Sequence, residues 1–82
     1  MSNHSGSHML NEVLRIFLDL KISENIGEAR TREFAKRLVE LGDGYDCNPG
    51  EILEGLDKEI GICYFCLNES NDLQDGLCPS CR

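Results

Sequence analysis

Along the first quarter of the chain the apolar positions fit two periods. Leu10, Val13, Leu14, Phe17 and Leu18 recur at helical spacing on one face, whereas Leu14, Ile16, Leu18, Leu20 and Ile22 alternate as a strand would. Helix is the preferred reading. The segment is long and rich in leucine, no turn signal returns a strand to a partner, and a lone strand would leave its ladder unpaired. A second apolar stripe, Ile26, Ala29, Phe34, Leu38 and Leu41 with Ala35 and Val39 beside it, predicts a helix capped at Ser23 or Asn25. It should stop at Gly42, because glycine just past the last apolar residue suits the left-handed backbone that closes a helix. A third start is written in Asn48 as cap, Pro49 at the first helical position and Glu51 in the first turn, followed by Ile52, Leu53, Leu56 and Ile60. That predicts a helix from Pro49 to about Glu59, with Gly55 inside it costing about 1 kcal/mol and making it dependent on its neighbours.

Beyond Ile60 cysteines take over. Cys63-Tyr64-Phe65-Cys66 and Cys78-Pro79-Ser80-Cys81 are two C-x2-C pairs with eleven residues between them. Two tight turns, each offering two sulfurs, supply what a tetrahedral ion requires, and Gly76 and Pro79 suit a sharp reversal beside Cys78. Eleven residues suffice for a hairpin but not for a pair of helices. A disulfide reading needs an oxidising compartment, and a redox-catalytic C-x2-C belongs at the start of a helix in a βαβ setting, for which the chain gives no sign. Iron can use the same four thiolates as zinc.

The segment from Ile62 to Arg82 resembles a zinc ribbon, and its second knuckle, Cys-Pro-x-Cys, is also similar to that of rubredoxin, an iron protein. It departs from the ribbon pattern at Leu67 and Arg82, which stand where a glycine often follows the second cysteine of a knuckle. The resemblance implies one structural zinc ion on Cys63, Cys66, Cys78 and Cys81. The expected fold is mainly α with a small β zinc ribbon: two or three amphipathic helices over residues 9–60, then a four-cysteine zinc-binding hairpin unit over residues 61–82. A site closed by four cysteines has no open position for water or substrate, so the metal is expected to be structural and the chain not an enzyme.

Composition changes the picture in three ways. Gly6-Ser7-His8-Met9 looks like the scar of a cleaved expression tag, so residues 1–8 are set aside, and with them the two histidines, His4 and His8. A chain of 82 residues is short enough to need a staple such as a metal. Its formal charge of −7 is also uneven: through Arg37 there are six basic and five acidic residues, and from Leu38 onward two basic against ten acidic. An acidic C-terminal half repels phosphate backbones and favours a partner protein with a basic surface. No signal peptide and no membrane-spanning stretch are visible, and five cysteines without a secretory signal favour a reducing, cytoplasmic setting.

Three weaker features remain. Cys47 has no partner at knuckle spacing and no basic neighbour to activate it, which suits an inert cysteine. Arg30, Arg32, Lys36 and Arg37 form the one basic cluster and could face nucleic acid. Glu28 to Arg32 and Glu33 to Arg37 stand in the favourable helical pairing order, however, so a solvated, ion-paired face is preferred. Tyr64 and Phe65 lie inside the first knuckle, and Leu73 and Leu77 lie near it. Some must cover the metal site or the helices, and any left exposed would be a docking point. The expected function is a small interaction protein, an adaptor or regulator of a larger protein. By analogy with ribbons, that protein is sought among transcription or replication components. Binding of nucleic acid, a rubredoxin-like redox role and association of the chain with itself are the other candidates.

Overall fold

The computed structural model describes residues 3–82. Five helices follow in order: α1 His4–Asp19, α2 Ile22–Ile26, α3 Glu28–Asp43, α4 Pro49–Ile52 and α5 Asp57–Ile60. The helical period wins in the first segment, since Leu10, Leu14 and Phe17 are buried while Ile16 and Leu20, which a strand would place beside Leu14, are 55% and 65% exposed. α1 begins ahead of Met9. Asn3 caps it by accepting from the Gly6 amide at 2.9 Å, and Ser7 is fully buried, its hydroxyl donating to the Asn3 carbonyl and accepting from the Asn48 amide at 2.8 Å. Residues 3–8 of the segment set aside as a tag remnant therefore form the cap and first turn of α1, while Met1 and Ser2 lie outside the described residues.

The second predicted helix is two helices, broken at Gly27, whose carbonyl accepts from the Thr31 hydroxyl at 2.8 Å. The line that α3 buries is Thr31, Ala35, Val39 and Gly42, one step round from the expected stripe. Ile26 and Leu41 stay exposed, and Phe34 and Leu38 are half-buried. Small residues prevail there because the helices approach closely. A Cβ on Gly42 would lie 2.7 Å from Ile52 Cδ1 and 2.8 Å from Leu10 Cδ1, so this glycine provides clearance inside a helix that continues to Asp43 instead of stopping it.

The third predicted helix is also divided. Asn48 caps α4 as expected, its side chain accepting from the Gly50 amide at 2.8 Å. After Ile52 the chain unwinds, and Gly55 sits in the left-handed region at φ +78°. The exposed ends of α4 are answered from α1. The buried Asn11 amide donates to the carbonyls of Ile52 at 2.9 Å and Glu54 at 3.1 Å, and Arg15 donates to Glu54 as well. A side chain on Gly55 would meet that guanidinium at 3.0 Å. Tertiary hydrogen bonds thus hold open a turn that local sequence would have closed into helix.

One apolar core joins these elements. Leu10 and Leu14 of α1 meet Ala35 and Val39 of α3, and Ile52, Leu53, Leu56 and Ile60 complete it. It does not end at Gly61: Ile62 is fully buried in the same cluster, and Tyr64 and Leu67 pack against it. The predicted ribbon hairpin is reduced to two isolated antiparallel bridges, Ile62 with Glu69 and Gln74 with Leu77. Each closes its own short turn, so no two segments run side by side beyond a single residue pair. Among the described residues no helix is long and apolar enough to cross a membrane.

Candidate metal centre

The two knuckles bring Cys63, Cys66, Cys78 and Cys81 together, with all four sulfurs within 4.8 Å of one another. Cys66 Sγ and Cys78 Sγ lie 3.7 Å apart. A tetrahedron with metal–sulfur bonds of about 2.3 Å has edges of about 3.8 Å, so the donor set fits one tetrathiolate-bound ion. Zinc and iron share that geometry and those ligands.

Local backbone builds each knuckle differently. In the first, the Leu67 amide donates to the Cys63 carbonyl at 2.8 Å and the Phe65 amide points at Cys63 Sγ at 3.4 Å. Closing that turn places Leu67 at φ +62°, the left-handed conformation for which ribbons often use glycine. In the second, the amides of Cys81 and Arg82 both turn back to the Cys78 carbonyl at 3.0 and 3.2 Å, and Arg82 donates to Asp72 at 2.7 Å. The chain folds this way despite Leu67 because its side chain gains cover against the helical core.

The thiols titrate unequally. Burial opposes ionisation of Cys63, but the backbone amides of Cys66, Cys78 and Phe65, together with the Cys66 thiol, outweigh it and bring Cys63 down to about 6. Cys81 is pushed up to about 12, first by its hydrogen bond with Cys78, then by burial and by the remaining thiols of the cage. Cys63 ionises readily and Cys81 then resists, as expected of acids sharing a small space. A divalent cation removes that resistance by replacing the shared protons.

The other candidates fall out as follows. Leu73 is buried against the cysteines and Leu77 packs beside it, so both cover the metal site. Tyr64 is half-buried as a strut between the helices and the second knuckle: its ring faces Gly50 of α4 on one side and Gly76 on the other, and its amide donates to the Gly76 carbonyl at 3.1 Å. Phe65 alone of the four is turned outward, 77% exposed. The basic cluster is dispersed. Arg32 is half-buried and bridges Glu28 and Glu69, tying α3 to the loop that follows the first knuckle, while Arg30 and Arg37 share Glu33 at 4.0 and 3.3 Å. Lys36 is half-buried, and the buried Cys47 stands apart from the four-sulfur cluster. Asn11 and Ser7, which sequence reasoning passed over, hold the loops that carry α4 in place. A polar residue between Leu10 and Leu14 on the buried face was the available signal for Asn11.

Gly76 is the tightest point of this arrangement, at φ +81° with an added Cβ falling 2.8 Å from Tyr64 Cδ2 and 3.2 Å from Asp57 Oδ1. Gly76→Ala is expected to lose about 2 kcal/mol, from left-handed strain and the displaced ring, read as a lowered midpoint in chemical denaturation of the metal-loaded protein. An unchanged midpoint would show that Tyr64 is not held there.

Compared with models of known protein families, with curated proteins and with solved structures, the chain matches none.

Proposed function

We propose that this chain is a small non-enzymatic interaction module in which one structural zinc ion, on Cys63, Cys66, Cys78 and Cys81, fixes a surface that docks on a larger protein. The observation that carries this reading is Phe65, an aromatic side chain 77% exposed on a turn that the metal would make rigid. Exposed aromatics held in a fixed conformation contribute much to association because little freedom is lost when they are covered. Four protein thiolates fill every position of a tetrahedral ion, which leaves scaffolding as its role. The acidic half of the chain supports a basic partner. Glu51, Glu54, Asp57 and Asp75 line one concave surface beside Tyr64. Burial, and then the neighbouring Glu54, push the Asp57 carboxyl above its usual range against its own backbone amide. A lysine or arginine entering there relieves the crowding of like charges.

The experiment is affinity capture from cell extract on zinc-loaded protein, with Phe65→Ala as the control. The wild-type chain should retain a protein that elutes as salt rises, and Phe65→Ala should retain at least about tenfold less with unchanged metal content. Equal retention by both forms overturns the reading. So does tight binding of labelled DNA or RNA that is lost when Arg30 and Arg37 are reversed in charge. A coloured protein as isolated would replace zinc with iron and the scaffold with electron transfer.

A further inference from the structure

Apart from Phe65, every large apolar side chain exposed among the described residues lies on α1 and its cap, on α2 or on α3 and the turn that ends it. On α1 and the Leu20 cap that ends it they are Met9, Val13, Ile16 and Leu20, a second stripe at helical spacing that the core does not use. On α3 and its terminal turn, Phe34, Leu38, Leu41 and Tyr45 repeat that spacing, with Leu41 and Tyr45 54% and 68% exposed. The two helices run antiparallel. The Asn3 amide bonds the Asp46 carbonyl at one end, and Phe17 stacks on Phe34 with ring centroids 4.3 Å apart farther along. The stripes therefore lie side by side, Met9, Leu41 and Tyr45 lining one shallow hollow between them. Six large apolar side chains of these two stripes, Met9, Val13, Ile16, Leu20, Leu41 and Tyr45, are exposed, and apolar side chains gathered in this way on one surface mark an interaction site.

The charges that border this face differ between the two helices. One step round from the α1 stripe stand Glu12 and Asp19. One step round from the α3 stripe stand Arg30 and Arg37, which share the single carboxylate of Glu33 and so leave that border net positive. A face with an acidic edge on one helix and a basic edge on the other is complementary to itself under a two-fold rotation. Such a rotation sets α1 of each copy against α3 of the other, each acidic border meeting a basic one.

We infer that the outer face of α1 and α3 is an isologous interface between two copies of this chain, which pair as a four-helix layer. It lies apart from Phe65, so this inference and the proposed docking surface stand or fall separately.

Sedimentation equilibrium of the zinc-loaded chain, carried up to millimolar concentration, should show a dimer. Ile16→Glu on α1 and Leu41→Glu on α3, both at exposed positions, should each raise the dissociation constant at least about a hundredfold while helicity and metal content stay unchanged. Two further variants test the pairing of borders. One carries Glu12→Lys and Asp19→Lys, the other Arg30→Glu and Arg37→Glu. Each alone should dimerise poorly, and mixing them should restore a heterodimer, because only the mixture sets opposite charges face to face. A monomer at every concentration overturns the inference, as does a dimer indifferent to both Ile16→Glu and Leu41→Glu, or a mixture no tighter than its components.

Discussion

Removing the metal is expected to unfold more than the segment that carries the thiolates. Ile62, next to Cys63, is fully buried among the helical residues, and Tyr64 and Leu67 pack on the same core. Otherwise residues 61–82 are held by isolated bridges, turn hydrogen bonds and the surface ion pairs of Glu69 with Arg32 and Asp72 with Arg82, with no regular strand pairing. A structural tetrathiolate site supplies about 10–16 kcal/mol, as much as the whole stability of a small domain. Chelation, or Cys63→Ser with Cys78→Ser, should therefore abolish cooperative thermal unfolding and loosen α4 and α5 along with the knuckles. Circular dichroism and metal analysis on the same sample would show it. Acid acts in the same direction: protons compete with the ion for sulfur, so stability is present at neutral pH and is lost as pH falls and the ligands protonate. Survival of a sharp helical transition after complete metal removal would show that the helices stand alone.

The second large effect is expected at Asn11, a residue with no role in chemistry. Its amide satisfies the carbonyls of Ile52 and Glu54, where α4 ends without helical continuation, and its own oxygen accepts from Arg15 Nε at 2.7 Å. Alanine there leaves a buried carbonyl without a donor and releases Arg15 from one of its two anchors. The expected destabilisation is about 3 kcal/mol. Urea denaturation of the zinc-loaded variant measures it. Hydrogen exchange should show the loss centred on residues 49–60, with the knuckle amides less affected. A change below about 0.5 kcal/mol would show that water replaces the amide at no penalty.

These two sites mark what could be foreseen from the chain and what could not. Cysteine spacing was legible because tetrahedral coordination permits few arrangements of ligands in sequence, and Cys63, Cys66, Cys78 and Cys81 do converge. The buried face of α1 was legible because leucine and phenylalanine mark it strongly. On α3 the same logic placed the stripe one step away. Hydropathy favours Leu38 and Leu41, while packing distance selects Thr31, Ala35, Val39 and Gly42. The break between α4 and α5 was hidden because it depends on Asn11 and Arg15, some forty positions earlier. The absence of a regular hairpin was hidden too: Asp75 and Gly76 do take the left-handed backbone of a two-residue hairpin turn, but pairing stops at Gln74 with Leu77 there and at Ile62 with Glu69 across the first knuckle.

Ile62 stands at once beside a sulfur donor and inside the packing of the helices. The packing shows no seam between the two halves, so neither is expected to keep its fold when lifted out. Grafted onto another protein, the last twenty-one residues would carry three sticky side chains, Ile62, Tyr64 and Leu67, into water. The helices left behind would keep a matching hole.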